Sequence, residues 1–294
     1  SNINLFSGDG DLSGSIEDEI DVLVDPNSPF FEAFSEANRV NLLAVGVNDG
    51  LTDTIMLVSW DMDANKVDVI SVPRDTYYER PGYSSPGQKK INAAYSSEDG
   101  IVATANAVSD VLMGMPINYY AVIDYEAVEE IVDGVGGVPI DVPKAMKYDV
   151  PYDDPPLHID IPAGQQTLDG EHAVQYLRYR HGYANGDIGR VEAQQKFMKS
   201  LFNQCIENGI LDSAKLITSN VKSDVTLGAA SKFALKAAGL ESDAIRTYTL
   251  PGEGKYIGNV SYYVQDEEKT QEMLTEIYQV ASGTTEETDS GSDA

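Results

Sequence analysis

The chain is poor in cysteine, histidine and cations, and each shortage excludes something. Of its 294 residues, one is a cysteine and three are histidines. The lone thiol, Cys205, excludes an intramolecular disulfide and any zinc site built on several thiolates. Cysteine scarcity suits the cytosol and equally the outer face of bacteria that rarely use disulfides. Lys and Arg total 20 against 48 Asp and Glu, a formal net charge of −28. That balance argues against a nucleic-acid partner, which needs clustered cations. It also disfavours attraction of the whole surface to anionic lipid, and predicts a soluble, self-repelling exterior. No run approaches the roughly 18 consecutive apolar residues of a membrane-spanning helix. The chain opens on Ser1-Asn2 without an initiator Met and reads as trimmed, so a missing signal or anchor carries no weight. There is no Gly-rich loop ending in Lys-Ser/Thr, no G-x-S-x-G and no H-E-x-x-H. P-loop, serine-hydrolase and zincin readings therefore have no support.

What is present supports one sizeable core, with 42% hydrophobic residues. Residues 1–39 read as a lead-in and entry segment, acidic and flexible over 1–25, residues 40–281 as a single domain, and residues 282–294 as a disordered acidic tail. Asn41–Val47, Thr54–Trp60, Val67–Val72, Tyr119–Ile123 and 245–250 read as strands. Their apolar runs are continuous rather than alternating, which predicts cover on both faces. Helices are expected over Ile101–Met113, from Tyr125, from Gly170 behind an Asp169 cap, over Ile188–Glu207, and at 227–239 and 267–280. The proline-rich stretch 141–168 reads as an irregular surface excursion. The order of elements implies a layered α/β protein with helices on both faces of the sheet.

Seven arginines are available, and Arg178, Arg180 and Arg190 fall close together with His181. A guanidinium matches phosphate oxygens bidentately and keeps its charge, so this cluster suits a phosphorylated ligand. It equally suits ion pairs with neighbouring acids. Arg74 and Asp75 directly follow a buried strand, where ligands collect in open α/β sheets. Asp53, between two threonines, reads either as a metal-binding carboxylate or as a turn or cap residue. Lys90 and Asn92 add a cation and an amide before the helix at 101. Gln194 and Gln195 lie about one turn beyond Arg190. His181 is a candidate base or a solvated loop histidine; Asp149, Asp153 and Asp154 read as solvated.

Taken in order, these residues resemble a known family. Leu42–Val47, Thr52-Asp53-Thr54, Ser71-Val72-Pro73-Arg74-Asp75-Thr76, Lys90-Ile91-Asn92-Ala93-Ala94-Tyr95, Gly134-Val135-Gly136-Gly137-Val138, Leu177-Arg178-Tyr179-Arg180 and Asp187-Ile188-Gly189-Arg190 with Gln194-Gln195 follow the pattern of the LytR-CpsA-Psr family. Each motif alone is weak, but in register over roughly residues 40–210 they are specific.

The resemblance implies a three-layer α/β/α fold with a central mixed β-sheet flanked by helices and an apolar pocket for a lipid tail. It implies a phosphotransferase that moves a glycopolymer, such as teichoic acid or capsular polysaccharide, from a polyprenyl-pyrophosphate carrier to peptidoglycan. The expected cofactor is Mg²⁺ (or Mn²⁺). The expected location is the extracytoplasmic face of the cell membrane, held by an N-terminal anchor. Carried over residue by residue, Asp53 is the metal ligand, Arg74, Arg178, Arg180 and Arg190 grip phosphate, and Asp187 and Gln194 serve the head group. Lys90 and Asn92 are expected to bind substrate, and Asp75 is the candidate base. Asn48 stands where the family usually has a second metal-binding Asp, which leaves Asp49 as the substitute. Ala193 stands where another Arg is frequent. The same residues admit a polyprenyl-pyrophosphate pyrophosphatase, with water as acceptor, or a lipid-linked-sugar binding module with weak catalysis.

Overall fold

The structure is a computed structural model that describes residues 26–152 and 156–280. It begins with a short helix, α1 (Phe31–Glu36). Phe30 and Phe34, four residues apart on one side of that turn, stack at 5.6 Å and are buried in the main core. Each such burial is worth about 1.5–3 kcal/mol, enough to hold a helix this short in place. The packed chain thus starts before residue 40, within the expected entry segment. Residues 1–25 and the tail 282–294 lie outside the described residues.

Twelve strands follow among the described residues: β1 (Arg39–Asn48), β2 (Leu51–Asp61), β3 (Lys66–Ser71), β4 (Tyr119–Ile123), β5 (Val138–Val142), β6 (Met146–Val150), β7 (Leu157–Ile161), β8 (Gly164–Leu168), β9 (Lys222–Ser223), β10 (Ile245–Thr249), β11 (Gly252–Ile257) and β12 (Val260–Gln265). The remaining helices are α2 (Gly100–Val111), α3 (Tyr125–Gly134), α4 (Gly170–Arg178), α5 (Asp187–Glu207), α6 (Ile210–Asn220), α7 (Leu227–Ala237) and α8 (Glu267–Tyr278). The central sheet has the order β10-β3-β2-β1-β4-β9 and is mixed. β1 runs antiparallel to β2 and parallel to β4, and β3 runs antiparallel to β2.

Because strand side chains alternate, each strand feeds two layers. Leu43, Val45, Ile55, Leu57 and Ile70 face α1, α2 and α8. Met56, Val67 and Val69 face the opposite way, onto α7 and onto Met198 and Phe202 of α5. This is the three-layer α/β/α arrangement with a mixed sheet that the sequence implied. The antiparallel order has one consequence for function. The end of β1, the start of β2, the end of β3 and the end of β4 all lie along one edge of the sheet.

The stretch 141–168 differs from the expected irregular excursion. β5 pairs with β8, and β6 with β7. Val138, Ile140, Ile159 and Ile161 alternate inward onto Tyr176 of α4 and Phe197 of α5, forming a second core. Three of its prolines fall where they cost no ladder hydrogen bond: Pro143 and Pro151 follow strands, and Pro162 sits in the turn between β7 and β8. Helix α6 and the β11–β12 hairpin were not expected from the sequence either. No described helix is long and apolar enough to cross a membrane.

Candidate active site

The site begins with an irregularity in the sheet. β1 and β2 pair Gly46 with Thr54 and Val47 with Thr52, and the register shifts between Gly46 and Val47. Asp53 is the extra residue, with no partner across the ladder. Such a bulge bends its strand and re-aims a side chain, commonly beside an active site. Here it leaves Thr52 and Asp53, successive residues, both buried at 0% and 8% exposure. A buried carboxylate requires compensation, and three elements supply it.

Arg74, three residues past β3, donates from Nη1 to Asp53 Oδ1 at 2.6 Å. Arg180, past the end of α4, donates from Nη2 to the same oxygen at 2.9 Å. Tyr125, the first residue of α3, donates its hydroxyl to Asp53 Oδ2 at 3.2 Å. Burial, with the neighbouring Asp53 charge, pushes the Tyr125 phenol up to about 12, so it stays protonated as a donor at neutral pH. Asp124 fixes the start of α3 by accepting from the Ala127 amide at 2.8 Å.

Arg190 approaches from behind. It is 2% exposed, donates to the Asp53 carbonyl oxygen at 3.3 Å and pairs with Asp187 at 2.8 Å within the first turn of α5. Burial pulls Arg190 below the ordinary arginine range, and the Asp187 carboxylate opposes that shift. Asp187 at a helix N-terminus is also favoured by the helix dipole. The chain turns into α5 through Gly186, at φ +61°, a conformation that suits glycine.

A cleft of about 390 Å³ opens in front of Asp53, lined by Arg74, Arg178 and Arg180 together with Asn48 and Asp49. The Arg178 guanidinium lies 5.1 Å from the Tyr125 ring centre, within cation–π range. Three guanidinium groups therefore meet in one concavity of a protein whose net charge is −28. Tyr148 of β6 and His181 stack at 4.0 Å along its rim. A second cleft, about 490 Å³, shares Arg74 and Leu51 with the first and is lined by Asp75, Lys90 and Asn92. Lys90 pairs with Asp75 at 3.1 Å, and Arg74 Nε lies 3.9 Å from the same carboxylate.

The structure thus brings Asp53, Arg74, Arg178, Arg180, Arg190 and Asp187 together, and places Asp75, Lys90 and Asn92 next door. Arg190 and Asp187 line neither cleft; they support Asp53 from below. Gln194 is buried on α5 and also lines neither cleft. Its neighbour Gln195 spans the sheet instead, donating to Ser71 Oγ at 2.9 Å and the Tyr248 carbonyl at 2.8 Å. The sequence reading missed Tyr125, whose contact with Asp53 crosses 72 positions and leaves no local motif. It also missed Arg80 and Tyr83 in the second cleft.

For a divalent cation, the first cleft offers the Asp53 and Asp49 carboxylates and the Asn48 amide. Asp49 lies in the β1–β2 turn at φ +51°, and its Oδ2 is 3.4 Å from Asn48 Nδ2. Among the described residues, no group of three or more His, Cys, Asp or Glu is placed to cage a metal alone. Mg²⁺ characteristically takes one or two carboxylates and completes its shell with water and substrate phosphates, so this oxygen-only set fits.

Comparison with known proteins identifies the family. The model of the LytR_cpsA_psr family matches residues 21–279. The chain is similar to the polyisoprenyl-teichoic acid–peptidoglycan teichoic acid transferase TagU of Oceanobacillus iheyensis, at 27% identity over 84% of this chain and 77% of that protein. It is also similar to the corresponding transferase TagV of Bacillus subtilis, at 27% identity over 89% of this chain and 73% of that protein. The crystal structure of B. subtilis TagV superposes with a TM-score of 0.67 at 26% identity, covering 83% of this chain and 98% of that one. A structure of TagT bound to LI-WTA shares the fold, with a TM-score of 0.67 at 22% identity over 84% of this chain and 91% of that one. The chain belongs to the LytR-CpsA-Psr family.

Proposed function

We propose that the chain is a phosphotransferase that moves a glycopolymer from a polyprenyl-pyrophosphate carrier to peptidoglycan at the cell surface. The observation that carries this reading is the convergence of Arg74, Arg178 and Arg180 on one cleft around the buried Asp53. Phosphoryl transfer needs little covalent help and mostly positioning and charge stabilisation. In the resting protein, Asp53 holds Arg74 and Arg180 in place as counter-charge. A pyrophosphate entering the cleft takes over their remaining donors, and Arg178 adds a third. Asp75, steadied by Lys90, accepts the proton of the incoming sugar hydroxyl. Tyr125 and Arg190 keep Asp53 oriented. Mg²⁺ or Mn²⁺ held by Asp53 and Asp49 would neutralise charge on the phosphate oxygens. An N-terminal membrane anchor preceding this chain would bring the site to its lipid-linked substrate.

The test is a product analysis. Incubated with a polyprenyl-pyrophosphate-linked glycan and peptidoglycan, the protein is expected to release polyprenyl monophosphate and to leave the glycan, with its phosphate, on peptidoglycan. Free glycan phosphate with no coupling would assign a pyrophosphatase instead. Intact, bound donor would assign a binding module.

A further inference from the structure

The second cleft carries several charged and polar side chains and is lined by the same arginine as the first, Arg74. Its outer wall is the loop between Tyr77 and Lys90, which folds back on itself: Tyr78 N donates to the Lys89 carbonyl at 2.9 Å, and Tyr83 N to the Arg80 carbonyl at 3.1 Å. The Ser85 hydroxyl donates to Gln88 Oε1 at 2.8 Å. From the flank, the Tyr262 hydroxyl donates to the Pro86 carbonyl at 2.8 Å. The Arg80 guanidinium lies 4.0 Å from the Tyr83 ring centre, with a buried Nε that has no hydrogen-bond partner. These ties make a rigid wall.

We infer that this cleft is the acceptor-saccharide site, with Tyr83 and Arg80 as the platform on which the glycan strand lies. The inference rests on the transferase reading and adds the acceptor's place to it. Three observations support the placement. The wall consists of amides, hydroxyls, one aromatic ring and one guanidinium, groups that pair with sugar hydroxyls and cover the C–H faces of a pyranose. Its volume, about 490 Å³, falls in the range of small-molecule sites. The two clefts share Arg74 and Leu51, so a phosphorus held at Arg74 is within reach of both the arginine-rich cleft and this one. An in-line displacement needs the attacking and leaving oxygens on opposite sides of phosphorus. Asp75 lies on the acceptor's side.

The step balances as follows. The acceptor hydroxyl oxygen forms a bond to the glycan-bearing phosphorus while its proton passes to the Asp75 carboxylate. The bond from that phosphorus to the bridging oxygen breaks, and polyprenyl monophosphate leaves with the electron pair.

The experiment uses Tyr83→Ala and Tyr83→Phe with a synthetic polyprenyl-pyrophosphate disaccharide as donor and soluble, uncross-linked peptidoglycan oligosaccharide as acceptor. Acceptor KM is measured by coupling, and donor Kd is measured separately by calorimetry, which also reports that the variant is folded. Tyr83→Ala is expected to raise acceptor KM roughly three- to tenfold, the loss of one aromatic contact, with donor Kd unchanged. Tyr83→Phe is expected to stay near the parent value. An unchanged acceptor KM in Tyr83→Ala would overturn the placement, as would weaker donor binding with acceptor KM unaltered, because the cleft would then hold the donor glycan. Absence of any coupling by the unsubstituted protein, with donor still bound, would overturn the transferase reading and this placement together.

Discussion

Asp53 is the residue on which the site turns. Its Oδ1 accepts from two arginines at 2.6 and 2.9 Å, its Oδ2 from Tyr125 at 3.2 Å, and its carbonyl from Arg190 at 3.3 Å. Tyr125→Phe removes one neutral-to-charged hydrogen bond and keeps the ring under Arg178. Coupling is expected to fall by about ten- to hundredfold, in line with the net worth of one hydrogen bond to a charged group, read from initial rates at saturating donor. The metal proposal has its own test. Mn²⁺ bound in the presence of the pyrophosphate lipid, followed by electron paramagnetic resonance, should vanish in Asp53→Asn and tighten in Asn48→Asp, which restores a second carboxylate to the β1 end. Unaltered affinity in Asn48→Asp would place the cation elsewhere. At this scale the sequence was informative about charge and silent about aim. The arginines stood out because cations are scarce, and their order matched a known pattern. Nothing local to Thr52-Asp53-Thr54 announced a bulge, because a bulge is a property of two paired strands.

Among the elements, α5 links the most parts. Ala193 and Phe197 face the second core, Met198 and Phe202 face the sheet, and Asp187 and Arg190 brace Asp53. Ala193 is buried in the apolar second core. Gly189 lets the preceding loop lie on the first turn of this helix: a Cβ there would sit 2.4 Å from Asn185 Oδ1 and 2.6 Å from Tyr183 Cβ. Helix propensity alone predicts that Gly189→Ala stabilises by about 1 kcal/mol. Close packing predicts a loss of about 1–3 kcal/mol. Urea denaturation decides between them by sign, and the contact distances favour the loss. The long α5, with its charged start, was legible because its pattern runs for many turns. The strands of 146–161 were not, because prolines at their ends mimic a loop and only Met146, Ile159 and Ile161 among their residues are buried. The β11–β12 hairpin was likewise hidden, since most of β11 is exposed.

At the scale of the whole molecule, the three layers were readable from continuous apolar strands flanked by helices, while the second core under α4 and α5 was not. A pH dependence follows from the buried and partly buried phenols. Tyr125, Tyr176, Tyr263 and Tyr278 are all pushed up to about 12, with burial the largest cause. Between the ordinary value of about 10 and about 12, the unfolded chain releases these protons and the folded chain keeps them. Stability is therefore fully present below pH 10 and is lost as pH rises toward 12. Thermal midpoints should drop across that window, with tyrosinate absorbance appearing together with unfolding rather than before it. The central claim is that the arginine cleft around Asp53 performs phosphoryl transfer. It is tested most directly by the coupling rate of Arg74→Ala at saturating lipid-linked donor and peptidoglycan. The account predicts a loss on the order of 10²–10³, as for removal of one preorganised transition-state donor; an undiminished rate would contradict it.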